Sequence, residues 1–309
     1  VKIIAVYDDI ADYILVKQGG KINAVGTPDK PIVMTSEKEE PGAWGGIHIC
    51  GRAHTNAEGG KGSSEIGGAV YGGNDDADNS GTLQYIRLEY TGFAFDEEHE
   101  ANGISFYGVG NGTIVDHCQA YKGSDDGFEF FGGSVNVSNL VAVSCSDDSF
   151  DWTEGWNGKG TNLVAYQEAE STLGYDCDCL MECDNNGSNN AATPVAHPVL
   201  KNLILVGNGG SKQGIRLRAG TEVEIDNAKV CGKGQPLTVE TALTENALKN
   251  GTSKLTNITL TSELSSKEGI YTHADFIAVT SNKVDANLSY SSFEDIRKEC
   301  SWMKGSWVK

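Results

Sequence analysis

A repeated outline in residues 103–166 constrains the fold more than any other feature of the chain. Three consecutive units each begin with a short strand-like run and continue into a longer apolar run, and the first two contain an acidic Asp-Asp turn. The second unit starts at Gly127, 24 residues after Gly103, and the third starts at Ser149, 22 residues after Gly127. Units this short cannot bury their own apolar side chains, so neighbouring units must stack on one another.

Alternation of apolar and polar residues within these units sets the fold class. The units contain no helical segment, which excludes βαβ units and ankyrin or tetratricopeptide arrays, and the signature of leucine-rich repeats is missing. The 39 glycines fit an architecture with many tight turns. The sequence therefore predicts an all-β protein, a single-stranded right-handed parallel β-helix with loop insertions and a C-terminal cap.

A repeat array grows by adding turns, so 309 residues do not require a second domain. We expect one β-helix domain over residues 1–309. Four segments interrupt the strand pattern: a loop insertion at 51–80, a cysteine-containing insertion at 167–198, a helical insertion at 236–252 and a C-terminal cap at 285–309.

Two columns of residues support a common register. Asparagine recurs directly before an apolar or small residue, at Asn139, Asn162, Asn202, Asn227 and Asn257. Asparagine tolerates left-handed backbone and can hydrogen-bond along a stack. In the second column, alternation predicts that six residues point outward, namely His48, Ser105, Glu129, Asp151, Met181 and Arg216. Two positions further on, the outward residues are Cys50, Tyr107, Phe131, Thr153, Cys183 and Arg218.

Carboxylates gather in this register. Glu129 and Asp151 would be neighbours on one outer face, and the pairs 125–126 and 147–148 would stack at the turn before it. Like charges this close need compensation. Ca²⁺ bound to this patch is one source, because it takes several carboxylate oxygens. Three alternatives stay open: compensation by Arg216 and Arg218, aspartates that accept hydrogen bonds from turn N–H groups, and a catalytic carboxylate pair.

Aromatic residues flank the same face. Tyr107 and Phe131 are expected beside Glu129, and Trp152 follows Asp151. Aromatic rings next to carboxylates suit sugar rings, and we assign Tyr107, Phe131, Trp152 and Arg218 to substrate binding. Ordinary stacking between successive turns is the alternative.

Charge and cysteine content limit the partners. The net charge of −19 disfavours nucleic acid, whose phosphates require a basic surface. No apolar run approaches the roughly 18 residues of a membrane-spanning helix.

Cys177, Cys179 and Cys183 do not have a standard zinc spacing. A disulfide within the insertion and buried free thiols both remain possible. We expect the protein to be a monomer.

Four runs resemble a group of exported β-helix proteins from Bacteroides-type bacteria. They are GTPDKPIVMTS at 26–36, WGGIHICGRA at 44–53, NSGTLQYIRLEY at 79–90 and NGISFYG at 102–108. The resemblance covers most of residues 20–235. It implies the pectin-lyase-like fold and a secreted, periplasmic or outer-membrane location.

A shorter stretch resembles the calcium site of pectate lyases of polysaccharide lyase family nine. It runs from NGIS at 102–105 to GSDDGFE at 123–129. The resemblance implies that Asp125, Asp126 and Glu129 hold Ca²⁺. Asn102 stands where that family has an aspartate, and Arg216 stands where its lysine base is expected.

Two functions follow as hypotheses. In the first, a secreted or surface β-helix binds or processes a glycan, such as an acidic polysaccharide or a host glycan, with calcium. As an enzyme it would be lyase-like, with Arg216 as the base, or hydrolase-like, with Glu129 and Asp151 as the catalytic pair. In the second, the chain is a non-enzymatic surface adhesin or envelope scaffold.

Overall fold

The computed structural model describes residues 1–8, 10–96 and 99–309. Within these residues the chain forms 22 strands and four α-helices. In chain order the strands are β1 (Lys2–Ala5), β2 (Ile14–Val16), β3 (Ile22–Val25), β4 (Ile32–Ser36), β5 (Ile47–Cys50), β6 (Gly62–Ser63), β7 (Val70–Tyr71), β8 (Gly81–Glu89), β9 (Ile104–Tyr107), β10 (Ile114–Tyr121), β11 (Phe128–Phe131), β12 (Asn136–Val143), β13 (Phe150–Thr153), β14 (Lys159–Tyr166), β15 (Met181–Asp184), β16 (Val199–Val206), β17 (Gln213–Arg218), β18 (Glu224–Cys231), β19 (Gln235–Val239), β20 (Lys254–Leu260), β21 (Ser265–Ser266) and β22 (Lys283–Val284). The helices are α1 (Glu170–Leu173), α2 (Ala242–Asn250), α3 (His273–Ala278) and α4 (Phe293–Glu299), and short 3₁₀ turns occupy Glu58–Gly60 and Ser301–Met303.

Two long parallel sheets run the length of the molecule. Sheet 1 has the order β1-β4-β8-β10-β12-β14-β16-β18-β20-β22, with β3 also paired to β8. Sheet 2 has the order β2-β5-β9-β11-β13-β15-β17-β19-β21. Along most of the array, successive coils add one strand to each sheet, and the crossovers between parallel strands take the right hand that such connections favour. The prediction of a right-handed parallel β-helix is confirmed.

The predicted asparagine column forms a corner inside the long strands of sheet 1. All five asparagines have left-handed backbone, with φ between 56° and 64°. Strand pairing stops at this position, because Asp116 pairs with Ser138 and Cys118 with Leu140 while the residue between them is skipped. The amide of Asn162 donates to Asn139 at 2.8 Å, and Asn202 donates to Asn162 at 3.0 Å. The ladder therefore bends each coil at the same place.

Stacked apolar side chains fill the interior of the coil. Phe106 stacks on Phe130 with ring centroids 4.9 Å apart, and Phe130 stacks on Trp156 at 4.1 Å. These residues belong to one core that extends from Ala5 to Phe276 of α3. Offset stacking of this kind adds to the burial of apolar surface. Because this core holds the coils in register, outward side chains of successive strands are fixed about 4.8 Å apart.

Two segments cover the outside of the array. The antiparallel hairpin β6–β7 belongs to the loop 51–80 and places Ala69 and Tyr71 against sheet 2. The stretch 285–309 lies on the outer face of sheet 1, where Trp307 is fully buried in a second apolar cluster. We expected this stretch to cap the end of the stack. It runs back along the side because the outward valines and isoleucine of β12, β14 and β16 offer an apolar surface there, and α3 contributes to the core instead.

All eight cysteines are buried free thiols. Of the two possibilities open for the insertion 167–198, the structure therefore has thiols and no disulfide. No helix within the described residues is long and apolar enough to cross a bilayer.

Candidate functional site

Strands β11, β13, β15 and β17 carry a continuous outward column. Glu129 pairs with Asp151, Asp151 with Glu182, and Glu182 with Arg216. The predicted neighbours Glu129 and Asp151 are confirmed as cross-strand partners. Met181 and Cys183, expected to point outward, instead lie in the inner core. The insertion before β15 shifts the register by one residue, and such a shift exchanges the two faces of a strand.

The turns before these strands form a second ladder. Asn102 Oδ1 accepts the backbone N–H of Asp126 at 3.2 Å, Asp126 Oδ1 accepts that of Asp148 at 2.8 Å, and Asp148 Oδ1 accepts that of Cys179 at 2.6 Å. The two aspartates use only Oδ1 in this ladder. Among the described residues, Oδ2 of each makes no hydrogen bond. One of the alternatives left open by the sequence was that the aspartates accept hydrogen bonds from turn N–H groups. Asp126 and Asp148 do so with Oδ1, and Oδ2 of each remains available.

A cleft of about 420 Å³ opens beside this column, and we call it the acidic cleft. Ten carboxylates and one arginine line it: Glu65, Glu100, Asp125, Asp126, Glu129, Asp147, Asp148, Asp151, Asp178, Glu182 and Arg216. The stacking distance between coils explains the density of charge, because every coil adds carboxylates at the same two positions.

Two arginines and a lysine bring positive charge to part of the acidic cleft, the lysine being Lys212, which pairs with Asp178. Arg216 binds Glu182 at 2.9 Å and Glu240 at 3.2 Å, and Arg218 binds Glu182 and Asp184. Burial alone would lower the pKa of Arg216, but these carboxylates raise it overall. The predicted charge compensation by Arg216 and Arg218 is therefore present. These arginines pair with Glu182, Glu240 and Asp184.

Six carboxylates of the acidic cleft have no cationic partner among the described residues. Within the described residues, no lysine, arginine or histidine forms an ion pair with the side chains of this set: Asp125, Asp126, Glu129, Asp147, Asp148 and Asp151. Burial and neighbouring carboxylates raise the pKa of Asp125 to about 7 and that of Asp147 to about 6. The pKa values of Asp126, Glu129, Asp148 and Asp151 are raised well above the ordinary range for the same two reasons.

Among the described residues, three groups of side chains could each hold a metal ion. One consists of Asp125, Asp126 and Asp147, and another of Asp126, Glu129 and Asp151, with ligand atoms within 4.8 Å of one another. The third combines Asp148, Cys179 and Glu182. The predicted ligands Asp125, Asp126 and Glu129 therefore do not form one group. They divide between two groups that share Asp126.

Asp151 Oδ1 provides a test of whether a cation fits. This oxygen is enclosed by protein, yet among the described residues it has no hydrogen-bond partner. A buried carboxylate oxygen without a partner is costly, and a cation would satisfy it. The neighbouring Glu129 is held in place, since Asn102 Nδ2 donates to its Oε2 at 2.5 Å. An all-oxygen donor set suits a hard cation such as Ca²⁺.

The predicted aromatic platform is not available to a ligand. Trp152 is 1% exposed and lies in the inner core, because it follows the outward residue Asp151. Tyr107 and Phe131 do face outward, but Ala69 and Tyr71 of the covering hairpin bury them. Arg218 is paired with two carboxylates and does not line the acidic cleft. These rings are buried and stack between turns, with the Tyr107 and Phe131 centroids 4.4 Å apart, as in the alternative of ordinary stacking.

Sequence reasoning missed several residues of the acidic cleft. Glu65 comes from the covering hairpin and accepts the hydroxyl of Tyr107 at 3.1 Å, and burial raises its pKa to about 7. Asp178 and Glu182 come from the insertion 167–198, and Glu100 comes from the loop before β9. The only signal for Glu182 was the alternation MECD at 181–184, which fits either face until the register is known.

Stacked parallel sheets enclosing one core define this chain as a parallel β-helix protein. The model of the family described as pectate-lyase-like β-helix domain matches residues 1–309, so the chain belongs to that family. The family relates the chain to carbohydrate-related proteins. No curated protein and no solved structure matches the chain.

Proposed function

We propose that the acidic cleft binds Ca²⁺ and, through the ion, an acidic polysaccharide. The observation that carries this proposal is the set of six carboxylates that, within the described residues, lie without a cationic partner beside an enclosed and unpaired Asp151 Oδ1. Asp126, Glu129 and Asp151 would hold the ion, and Asp125 and Asp147 would hold a second or share the first. Ca²⁺ accepts six to eight oxygen ligands, so carboxylates at this density suit it.

An anionic glycan is the ligand class that this charge pattern supports. Without a cation the cleft would repel a uronate, because its net charge is strongly negative. A bound Ca²⁺ would supply positive charge that neutralises the carboxylate of a uronate residue. Family membership favours a carbohydrate over another anion.

Binding without cleavage is the activity that the side chains support. A lyase needs a base that can lose its proton, and Arg216 is held as a cation by Glu182 and Glu240. Among the described residues, Arg216 is also the only basic residue that lines the acidic cleft. A retaining hydrolase needs one ionised and one protonated carboxyl group, whereas burial raises the pKa values of Glu129 and Asp151 together. We therefore assign Arg216 to charge compensation, and the protein to glycan binding at a cell surface.

The proposal extends to location. Calcium sites in extracellular modules are weak enough to require the millimolar Ca²⁺ found outside the cytoplasm. We place the protein in the bacterial envelope or outside the cell, as in the exported β-helix proteins of Bacteroides-type bacteria that it resembles.

Calorimetric titration with an oligogalacturonate, in CaCl₂ and in EDTA, tests the proposal. We expect binding in CaCl₂ and none in EDTA. Equal binding in both would contradict a role for the cation. A parallel assay follows the ultraviolet absorbance of unsaturated products over hours, and their appearance would contradict binding without cleavage.

A further inference from the structure

A second cavity, of about 680 Å³, lies on the same outer face as the acidic cleft. Three segments line it: residues 56–58 of the loop insertion, Thr153 with Glu154, and residues 186–189 after β15. We call it the asparagine pocket. Thr153 follows Asp151 by two residues on β13, so the two side chains point to the same side of the sheet. Their backbone positions are about 6.6 Å apart.

A buried amide fixes the three segments relative to one another. Asn56 Nδ2 donates to Asn185 Oδ1 at 2.8 Å and to the carbonyl of Pro194 at 3.0 Å. Its own Oδ1 accepts from Asn186 Nδ2 at 2.9 Å. The backbone N–H of Asn56 also binds the carbonyl of Glu154 at 3.0 Å. The pocket is therefore preformed, which lowers the entropic cost of binding.

Glu154 occupies a strained position in the wall of the asparagine pocket. Its φ of 53° is left-handed, which is unfavourable for a residue other than glycine or asparagine. Thr55 and Tyr71 both donate to its Oε2, at 2.7 Å and 2.8 Å. Strain that the surroundings hold in place is a feature of functional sites. Among the described residues, Oε1 of Glu154 accepts no hydrogen bond.

Further polar groups converge on the asparagine pocket without a protein partner. Within the described part of the chain, the hydroxyls of Thr153 and Ser188, the amide nitrogen of Asn189 and the carboxylate of Glu58 make no hydrogen bond. A concave site with a few convergent polar groups is the usual form of a small-ligand site. In the part of the chain that the structure describes, the lining includes no cation and no aromatic ring. A uronate would therefore lack a partner, whereas hydroxyl groups could both donate to the carboxylates and accept from the amide.

We propose that the asparagine pocket binds a neutral, hydroxyl-rich sugar residue of the same chain whose uronate lies in the acidic cleft. This inference rests on the proposed function. It makes the ligand a heteropolysaccharide in which acidic and neutral residues are neighbours, and it assigns selectivity to the asparagine pocket.

Titration of two oligosaccharides of equal length in CaCl₂ tests the inference. One contains galacturonate only, and the other alternates galacturonate with neutral rhamnose. Ser188→Trp fills the asparagine pocket from an exposed position and keeps the backbone hydrogen bond to Asn186. Ser291→Trp, at an exposed serine of the C-terminal segment, is the matched control.

We expect the unaltered protein to bind the alternating oligosaccharide more tightly. Ser188→Trp should weaken that binding by at least about tenfold while its affinity for oligogalacturonate stays within about twofold, and Ser291→Trp should change neither. An unchanged affinity of Ser188→Trp for the alternating oligosaccharide overturns the inference and leaves the proposed function standing. Failure of the unaltered protein to bind either oligosaccharide overturns both.

Discussion

Asp126 Oδ1 accepts the backbone N–H of Asp148 at 2.8 Å, one coil further along the chain. The carboxyl group of Asp126 also belongs to two groups that could hold a cation. One contains Asp125 and Asp147, and the other contains Glu129 and Asp151. One oxygen thus supports the turn while the other remains for a ligand. Asp148 has the same arrangement toward Cys179, so the backbone fixes the geometry of these two aspartates before any cation binds.

Stability without a cation should fall as the pH rises. Asp125 and Glu65 have pKa values of about 7 and Asp147 of about 6, all above their values in an unfolded chain. Raised carboxyl pKa values contribute stability that is complete below the unfolded pKa and is lost as the pH rises through 6 to 7. In EDTA we expect the melting temperature to drop by at least about 4 °C between pH 5 and pH 8, which corresponds to roughly 1–2 kcal/mol.

Addition of CaCl₂ at pH 8 should restore most of that loss, because a cation removes the repulsion between ionised carboxylates. Differential scanning fluorimetry at both pH values provides the measurement. A melting temperature that is independent of pH in EDTA would show that these groups do not titrate as their surroundings require.

Asp126→Asn should separate the two roles of this residue. The amide oxygen can still accept the N–H of Asp148, while one negative charge is lost. We expect a higher melting temperature in EDTA at pH 8 and a loss of at least about tenfold in Ca²⁺ affinity, which is 1.4 kcal/mol. Asp29→Asn, at an exposed position, is the control and should leave both unchanged. Calcium titration followed by calorimetry gives the affinities, and equal affinities for the two variants would exclude Asp126 as a ligand.

Arg216→Met should destabilise the fold, even though Arg216 lines the acidic cleft. The substitution leaves Glu182 and Glu240 without the cation that bridges them. Removing one partner of a buried ion pair costs about 3–5 kcal/mol, and since Arg216 is partly exposed we expect about 1–3 kcal/mol. The exposed Lys298→Met, which breaks a surface pair with Asp295, should cost less than about 1 kcal/mol. Urea unfolding of both variants measures the difference, and equal costs would contradict the role of Arg216 in charge compensation.

The asparagine ladder allows a comparison within one position. Asn162→Gly loses the hydrogen bonds to Asn139 and Asn202 but keeps the left-handed backbone at φ 60°. Asn162→Ala loses the same bonds and adds about 1–2 kcal/mol of backbone strain. We therefore expect alanine to be the more destabilising substitution in urea unfolding. The opposite order would mean that the left-handed corner does not control the bend.

Periodicity was sufficient to predict the fold, because the spacing of Gly103, Gly127 and Ser149 is the spacing of the coils themselves. The same spacing placed Glu129 beside Asp151. Periodicity assigned Met181 to the wrong face, because the sequence does not show at which residue the strand resumes after an insertion. Glu65 could not be found either, since it reaches the cleft from a hairpin whose position depends on packing against Tyr107 and Phe131.

Anomalous diffraction from crystals grown with Ca²⁺, and again with Mn²⁺ as a stronger anomalous scatterer, tests the central claim most directly. The account predicts a peak bounded by the carboxylates of Asp126, Glu129 and Asp151, with Asp151 Oδ1 among its ligands. A second peak beside Asp125 and Asp147 would extend the site. The absence of any peak in the acidic cleft at millimolar cation, in crystals grown at pH 8, would contradict it.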